Sequence, residues 1–186
     1  MANILVTGTG NVAMRSGLEL VRLGHKVTCL QEQAGAKASL FSRNLNLELT
    51  TDNKTAYEDS SIIFIDVDIP ILADDHVDMS EVEGILAEIS EYVNDDFMLV
   101  INSTVPVGTN RWIQEQLREK LSTTSIKFDV VSKTDIDDIN GKIVIGARSE
   151  KSAETLEALY KPYWHKIVHT TPENAEFFNY DLADAN

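Results

Sequence analysis

Short β-branched, apolar runs alternate with helix-like stripes along the whole chain, and that alternation restricts the fold more than any other feature of the sequence. "NILVT" (3–7), "KVTCL" (26–30), "SIIFIDV" (61–67), "FMLVI" (97–101), "KFDVV" (127–131), "KIVIG" (142–146) and "KIVHT" (166–170) read as buried strands, with "LNLELT" (45–50) as an edge strand. Between them, Val12, Met14, Leu18, Val21 and Leu23 follow helical spacing, with Gly24 as a stop. So do Val82, Ile85, Leu86, Ile89 and Val93, then Trp112, Ile113, Leu117 and Leu121 with Thr109 as a cap, then Ala153, Leu156, Leu159, Tyr160 and Tyr163. A shorter helical piece is expected around Lys37 to Ser42. Strands and helices in alternation predict a doubly wound, mostly parallel sheet covered on both faces, a Rossmann-like α/β fold. The domain is expected to span 1–171, with 172–186 beginning a further helix and no second domain.

Length and charge bound the function. A chain of 186 residues makes one well-buried domain. With 16 basic against 30 acidic residues the formal net charge is -14, which disfavours nucleic acid and anionic membranes as partners. No apolar run reaches membrane-span length and "MANILVTG" has no leader-like pattern, so a cytoplasmic location is expected. Cys29 is the single cysteine; lying within a strand, it is expected to pack as a small buried hydrophobe.

"VTGTGNVA" (6–13) sets Gly8, Gly10 and Ala13 in the pattern G-x-G-x-x-A between the first strand and first helix. Gly8 permits a tight turn, Gly10 leaves the backbone open to a pyrophosphate, and a small Ala13 lets helix and strand approach. The helix N-terminus then offers N–H groups and a favourable dipole to phosphate. A carboxylate is wanted at the end of the second strand for the adenosine ribose, but Gln31 stands there and Glu32 follows. An uncharged amide accepts less well from two hydroxyls and removes one objection to a 2′-phosphate, so NADP stays open beside NAD.

A second loop carries a more specific signal. Residues Ser103 to Thr109 read "STVPVGT", and together with the glycine loop this resembles the UDP-glucose/GDP-mannose dehydrogenase family. "GHKVTCL", "KIVIGA" and "LEALYKPYW" are similar to family segments too, so the resemblance spans roughly residues 3–180. It implies oxidation of a nucleotide-sugar alcohol to the acid with NAD, through a thioester on a cysteine of a later domain. It also implies a cofactor site made by Gly8, Gly10, Asn11, Val12, Ala13, Gln31, Val67, Ser103 and Thr104. Thr104 is the matching residue at the reaction centre, and Asp135 falls at the first glutamate of the family's substrate loop.

Departures from that pattern are as informative. The later cysteine and its domain are absent from these 186 residues, and so is a "PIYEPGL"-like stretch. "VGTP" reads "VDIP", with Asp68 and Ile69 for glycine and threonine; "NPEFLREG" is reduced to "SKTDIDDIN". Asn179 and Ala183 replace a lysine and an asparagine in "AEFFNYDLA". The expected function is therefore an NAD-binding domain without catalysis of its own. The alternative is a noncatalytic binding or regulatory module whose partners are a dinucleotide, a nucleotide-sugar or a full-length dehydrogenase subunit.

Metal binding is not expected. "ADDHVD" (73–78) lacks spacing for a known geometry, and His165 and His169, if both lie on a strand, would share a face but stand about 13 Å apart, too far for one metal.

Overall fold

A computed structural model of the chain describes residues 3–8, 10–31, 46–67, 69, 77–134 and 141–183. Eight strands among these form one sheet: β1 (Ile4–Thr7), β2 (Val27–Leu30), β3 (Leu47–Thr50), β4 (Ile62–Ile65), β5 (Phe97–Ile101), β6 (Phe128–Lys133), β7 (Ile143–Gly146) and β8 (Ile167–Thr170), in the order β3-β2-β1-β4-β5-β6-β7-β8. The helices are α1 (Gly10–Arg22), α2 (Asn53–Glu58), α3 (Ser80–Tyr92), α4 (Thr109–Lys120), α5 (Glu150–Leu159) and α6 (Pro172–Ala183). A 3₁₀ turn, Lys161–Lys166, joins α5 to β8.

The central strands β4 and β5 are buried along their whole length, as continuous apolar runs in a doubly covered parallel sheet must be. Successive side chains serve opposite faces. Ile63, Ile65, Leu99 and Ile101 join Val82, Leu86, Ile89, Ile113 and Leu117 of α3 and α4. Ile62, Phe64, Val100 and Val131 join Ala13, Leu20, Ala153 and Leu156 of α1 and α5. The strand order runs outward from β1 to β3, then resumes at β4 on the other side of β1. That reversal creates a topological switch point at the C-terminal ends of β1 and β4, where open α/β sheets bind ligands.

The expected elements are present with several differences. β7 pairs antiparallel to β6 through Ser132↔Gly146 and Lys133↔Ile145, while every other pairing among the described residues is parallel. The sequence reading passes over α2, whose start is set by Asp52: its carboxylate accepts from the Thr55 N–H at 3.2 Å and from Thr55 Oγ1 at 2.8 Å. Thr109 does not cap α4. It is the first helical residue and its hydroxyl donates to the Pro106 carbonyl at 2.7 Å, while Gly108, at φ 102°, holds the cap position. Tyr163 and His165 lie in the 3₁₀ turn rather than on a helix stripe or a strand, and His169 on β8 meets Glu157 at 2.9 Å. The helical piece at 37–42 lies outside the described residues.

Candidate functional site

At the switch point the chain leaves β1 through Gly8, with φ 142°. A Cβ on Gly8 would stand 2.0 Å from the Asp66 carbonyl oxygen, so the turn rests directly on the backbone that leaves β4. Both the dihedral and the contact require glycine. Gly10 opens α1, Asn11 and Val12 complete its first turn, and Ala13 is buried against the sheet. The first N–H groups of a helix have no partner within it and can meet an anion.

A close approach of helix to sheet also occurs one turn after Ala13, at Gly17. A Cβ on Gly17 would lie 2.4 Å from the sulfur of Cys29. Cys29 is buried as expected, and burial, aided by the charge of Asp66, pushes its thiol up to about 12. It is no nucleophile at neutral pH.

Beside the ends of β1 and β2 lies a cleft of about 260 Å³, lined by Thr7, Gly8, Gln31, Asn53, Glu81 and Glu88 among others. Gln31 is held there by its backbone N–H, which donates to the Thr50 carbonyl at 2.9 Å. Glu88 is fixed by Asn53 Nδ2 at 2.6 Å and by the Tyr57 hydroxyl at 3.0 Å, and burial pushes the Tyr57 phenol well above its usual range. Among the described residues the lining carries carboxylates and no cation, an arrangement that suits hydroxyl donors better than an added phosphate.

The second loop closes the other side. Register places Thr7 beside Ile65 and Ile65 beside Ile101, so Gly8, Asp66 and Asn102 follow in one row past the strand ends. One residue further, Ser103 is buried and its hydroxyl accepts the Val67 N–H at 2.8 Å, tying the loop after β5 to the one after β4. Thr104 is exposed at that edge, and the Val67 side chain is buried in the core. Asp135, Asp68 and Pro70 lie outside the described residues, as do 73–76 of the acidic stretch. Asp78 instead accepts the Ser80 N–H at 3.0 Å. No group of side chains that would hold a metal ion occurs among the described residues.

The start of α4, a second place where an anion would be welcome, is filled from within. Glu176 on α6 accepts the N–H of Gly108 at 2.7 Å and that of Asn110 at 2.5 Å. Its side chain is inaccessible, and burial raises its pKa despite these two bonds.

Sequence reasoning missed a buried polar row under the glycine turn. Ser16 of α1 donates to Asp66 Oδ2; Asn102 Nδ2 donates to the same oxygen at 2.9 Å and lies 3.1 Å from the Ser16 hydroxyl. Lys133 Nζ donates to Asn102 Oδ1 at 2.5 Å and stands 5.1 Å from the centre of the Tyr160 ring. Asp66 and Lys133 are 1 % and 0 % exposed. The only hint in the sequence is that both follow apolar runs without a turn residue between.

Comparison with known proteins gives a family and a shared fold. Residues 32–164 match the model of the UDP-glucose/GDP-mannose dehydrogenase family, NAD binding domain. UDP-glucose 6-dehydrogenase YwqF of Bacillus subtilis is 32% identical over 206 residues, covering 96% of this chain and 46% of that protein. The chain thus spans about half the length of the curated relatives it matches. Among solved structures, GDP-mannose dehydrogenase of Pseudomonas aeruginosa superposes with TM-score 0.83 at 22% identity, over 98% of this chain and 49% of that one. UDP-glucose dehydrogenase of Pyrobaculum islandicum gives 0.83 and 22%, over 95% and 48%.

Proposed function

The chain belongs to the UDP-glucose/GDP-mannose dehydrogenase family, and from that premise we propose that it binds NAD at the switch point and does not oxidise a sugar nucleotide unaided. The Gly8 turn carries this reading: its missing Cβ leaves the backbone flat against Asp66, with the α1 N-terminus opening beside it. Gly8, Gly10, Asn11, Val12 and Ala13 would hold the pyrophosphate, Gln31 the adenosine ribose beside Glu81 and Glu88, and Val67, Ser103 and Thr104 the nicotinamide side. When bound, NAD would supply a hydride acceptor; Thr104, exposed on the loop that Ser103 anchors, would face it. Asp135 is proposed as the accompanying carboxylate. Oxidation to the acid through a thioester needs a nucleophilic thiol, and Cys29 is sealed against Gly17.

Thermal unfolding with and without NAD and NADP tests the proposal, because a ligand that binds only the folded state raises its stability with occupancy. NAD is expected to raise the melting temperature clearly and NADP less, given the carboxylate-lined cleft. The same chain with NAD and UDP-glucose is expected to form no NADH. No shift with either dinucleotide sinks the binding reading.

A second reading, an interaction module for a full-length dehydrogenase subunit, is favoured by one observation. Phe177 and Phe178 on α6 are 55 % and 45 % exposed, with their rings 6.4 Å apart. Co-purification with such a subunit, lost on replacing both by serine, would support it.

A further inference from the structure

Asp66 and Lys133 are ionisable side chains sealed beneath the nucleotide loops, and neither lines the cleft. A buried carboxylate is costly unless it is hydrogen-bonded and its charge is balanced. Asp66 has two neutral donors on one oxygen, Ser16 and Asn102. The amide of Asn102 donates toward Asp66 through Nδ2 and accepts from Lys133 through Oδ1, so one rigid group passes the polarity of the ammonium to the carboxylate. The row runs from β6 across the ends of β5 and β4 to α1.

Its position matters for an anion. The backbone of Asp66 fills the place where a Gly8 side chain would be, and its carboxylate is bonded to the helix that begins at Gly10. A doubly anionic pyrophosphate on the Gly8–Gly10 turn would therefore lie across a single layer of backbone from a buried negative charge. In so dry a site that charge opposes binding unless a cation offsets it.

We propose that Lys133 is a positioning residue for the dinucleotide: acting through Asn102, it orients and neutralises Asp66, so that the glycine turn can accept a pyrophosphate. This rests on the NAD-binding reading above.

The test titrates NAD, and adenosine as an uncharged probe of the same cleft, into the wild-type chain, Lys133→Met, Asp66→Asn and the double variant, each checked for folding by circular dichroism. Lys133→Met is expected to weaken NAD about tenfold or more while moving adenosine less than about twofold, because only NAD carries the pyrophosphate charge. The double variant, which loses both charges, is expected to return to within about threefold of wild type for NAD. Equal weakening of NAD and adenosine, or a double variant no better than Lys133→Met, overturns the proposal. If Lys133→Met does not fold, the double variant decides alone: NAD binding within threefold of wild type supports the proposal, and a tenfold loss overturns it. A wild-type chain that binds no NAD overturns both readings, whereas wild-type binding with an unaffected, folded Lys133→Met overturns this one only.

Discussion

Gly17 presses on Cys29 across the contact of α1 with β2, so closely that a Cβ on the glycine would lie 2.4 Å from the sulfur. Substituting alanine would gain up to about 1 kcal/mol of helix propensity. Overpacking costs about 1–3 kcal/mol and should win. Gly17→Ala is thus expected to lower stability in chemical denaturation, and Gly17→Ala with Cys29→Ala to recover most of the loss by removing the sulfur. A double variant weaker than either single one would refute the steric account.

Gly8 faces a harder limit, since its φ of 142° and the Asp66 carbonyl both exclude a side chain. Gly8→Ala is expected to cost about 2–4 kcal/mol in unfolding free energy. It should also abolish any NAD-dependent rise in melting temperature. An alanine variant with wild-type stability would show that the turn does not sit on Asp66.

Glu176 links stability to pH. Burial raises its pKa above the ordinary value of 4.5, against the opposing effect of the Gly108 and Asn110 N–H groups. Between 4.5 and that raised value the folded chain holds more protons than the unfolded one, so this contribution is lost as pH rises through the window. Its neighbour Glu173 has the reverse sign: its own backbone N–H and Arg148 hold it low, and its contribution is lost as pH falls. Unfolding free energies of wild type and Glu176→Gln, followed from acid to neutral pH, should show wild type at its greatest relative advantage at the acid end. An advantage that grows toward neutrality would contradict the assignment.

Gln31 offers a gain of function. A carboxylate at the end of β2 would accept from the ribose with charge-assisted bonds, so Gln31→Asp is expected to tighten NAD binding about fivefold. Calorimetric titration measures it. Weaker binding would mean that the adenosine end lies elsewhere, or that Glu81 and Glu88 already saturate the cleft with negative charge.

The fold was legible because periodicity survives translation into packing. The run 97–101 is β5 residue for residue, and Val82, Ile85, Leu86 and Ile89 are the buried face of α3. The glycine loop and Ser103 were legible from motif and resemblance. What escaped depends on partners far apart in sequence. Lys133 looks like a solvated strand end until Asn102, thirty-one residues earlier, is placed against it. Thr109 looks like a cap until Glu176, sixty-six residues after Asn110, takes the N–H groups. Gly17 could not be told from any helical glycine before Cys29 was known to lie under it.

The antiparallel pairing gives the sheet a fault line. β5 and β6 register over five residue pairs, but β6 and β7 over two, extended by the bonds of Thr134 to Val144 at 3.1 and 3.0 Å. β7, α5 and β8 lie beyond that line, joined to the rest by the shared core through Ile145 and Leu156 and by Ser152 on Asp129, and they are expected to detach first when the molecule is pulled or warmed. Lys133 is one of the residues in register across the line, and its ammonium also touches the row under the glycine turn. Opening the seam would therefore pull on Lys133 and, through Asn102, on the buried row that supports the Gly8 turn.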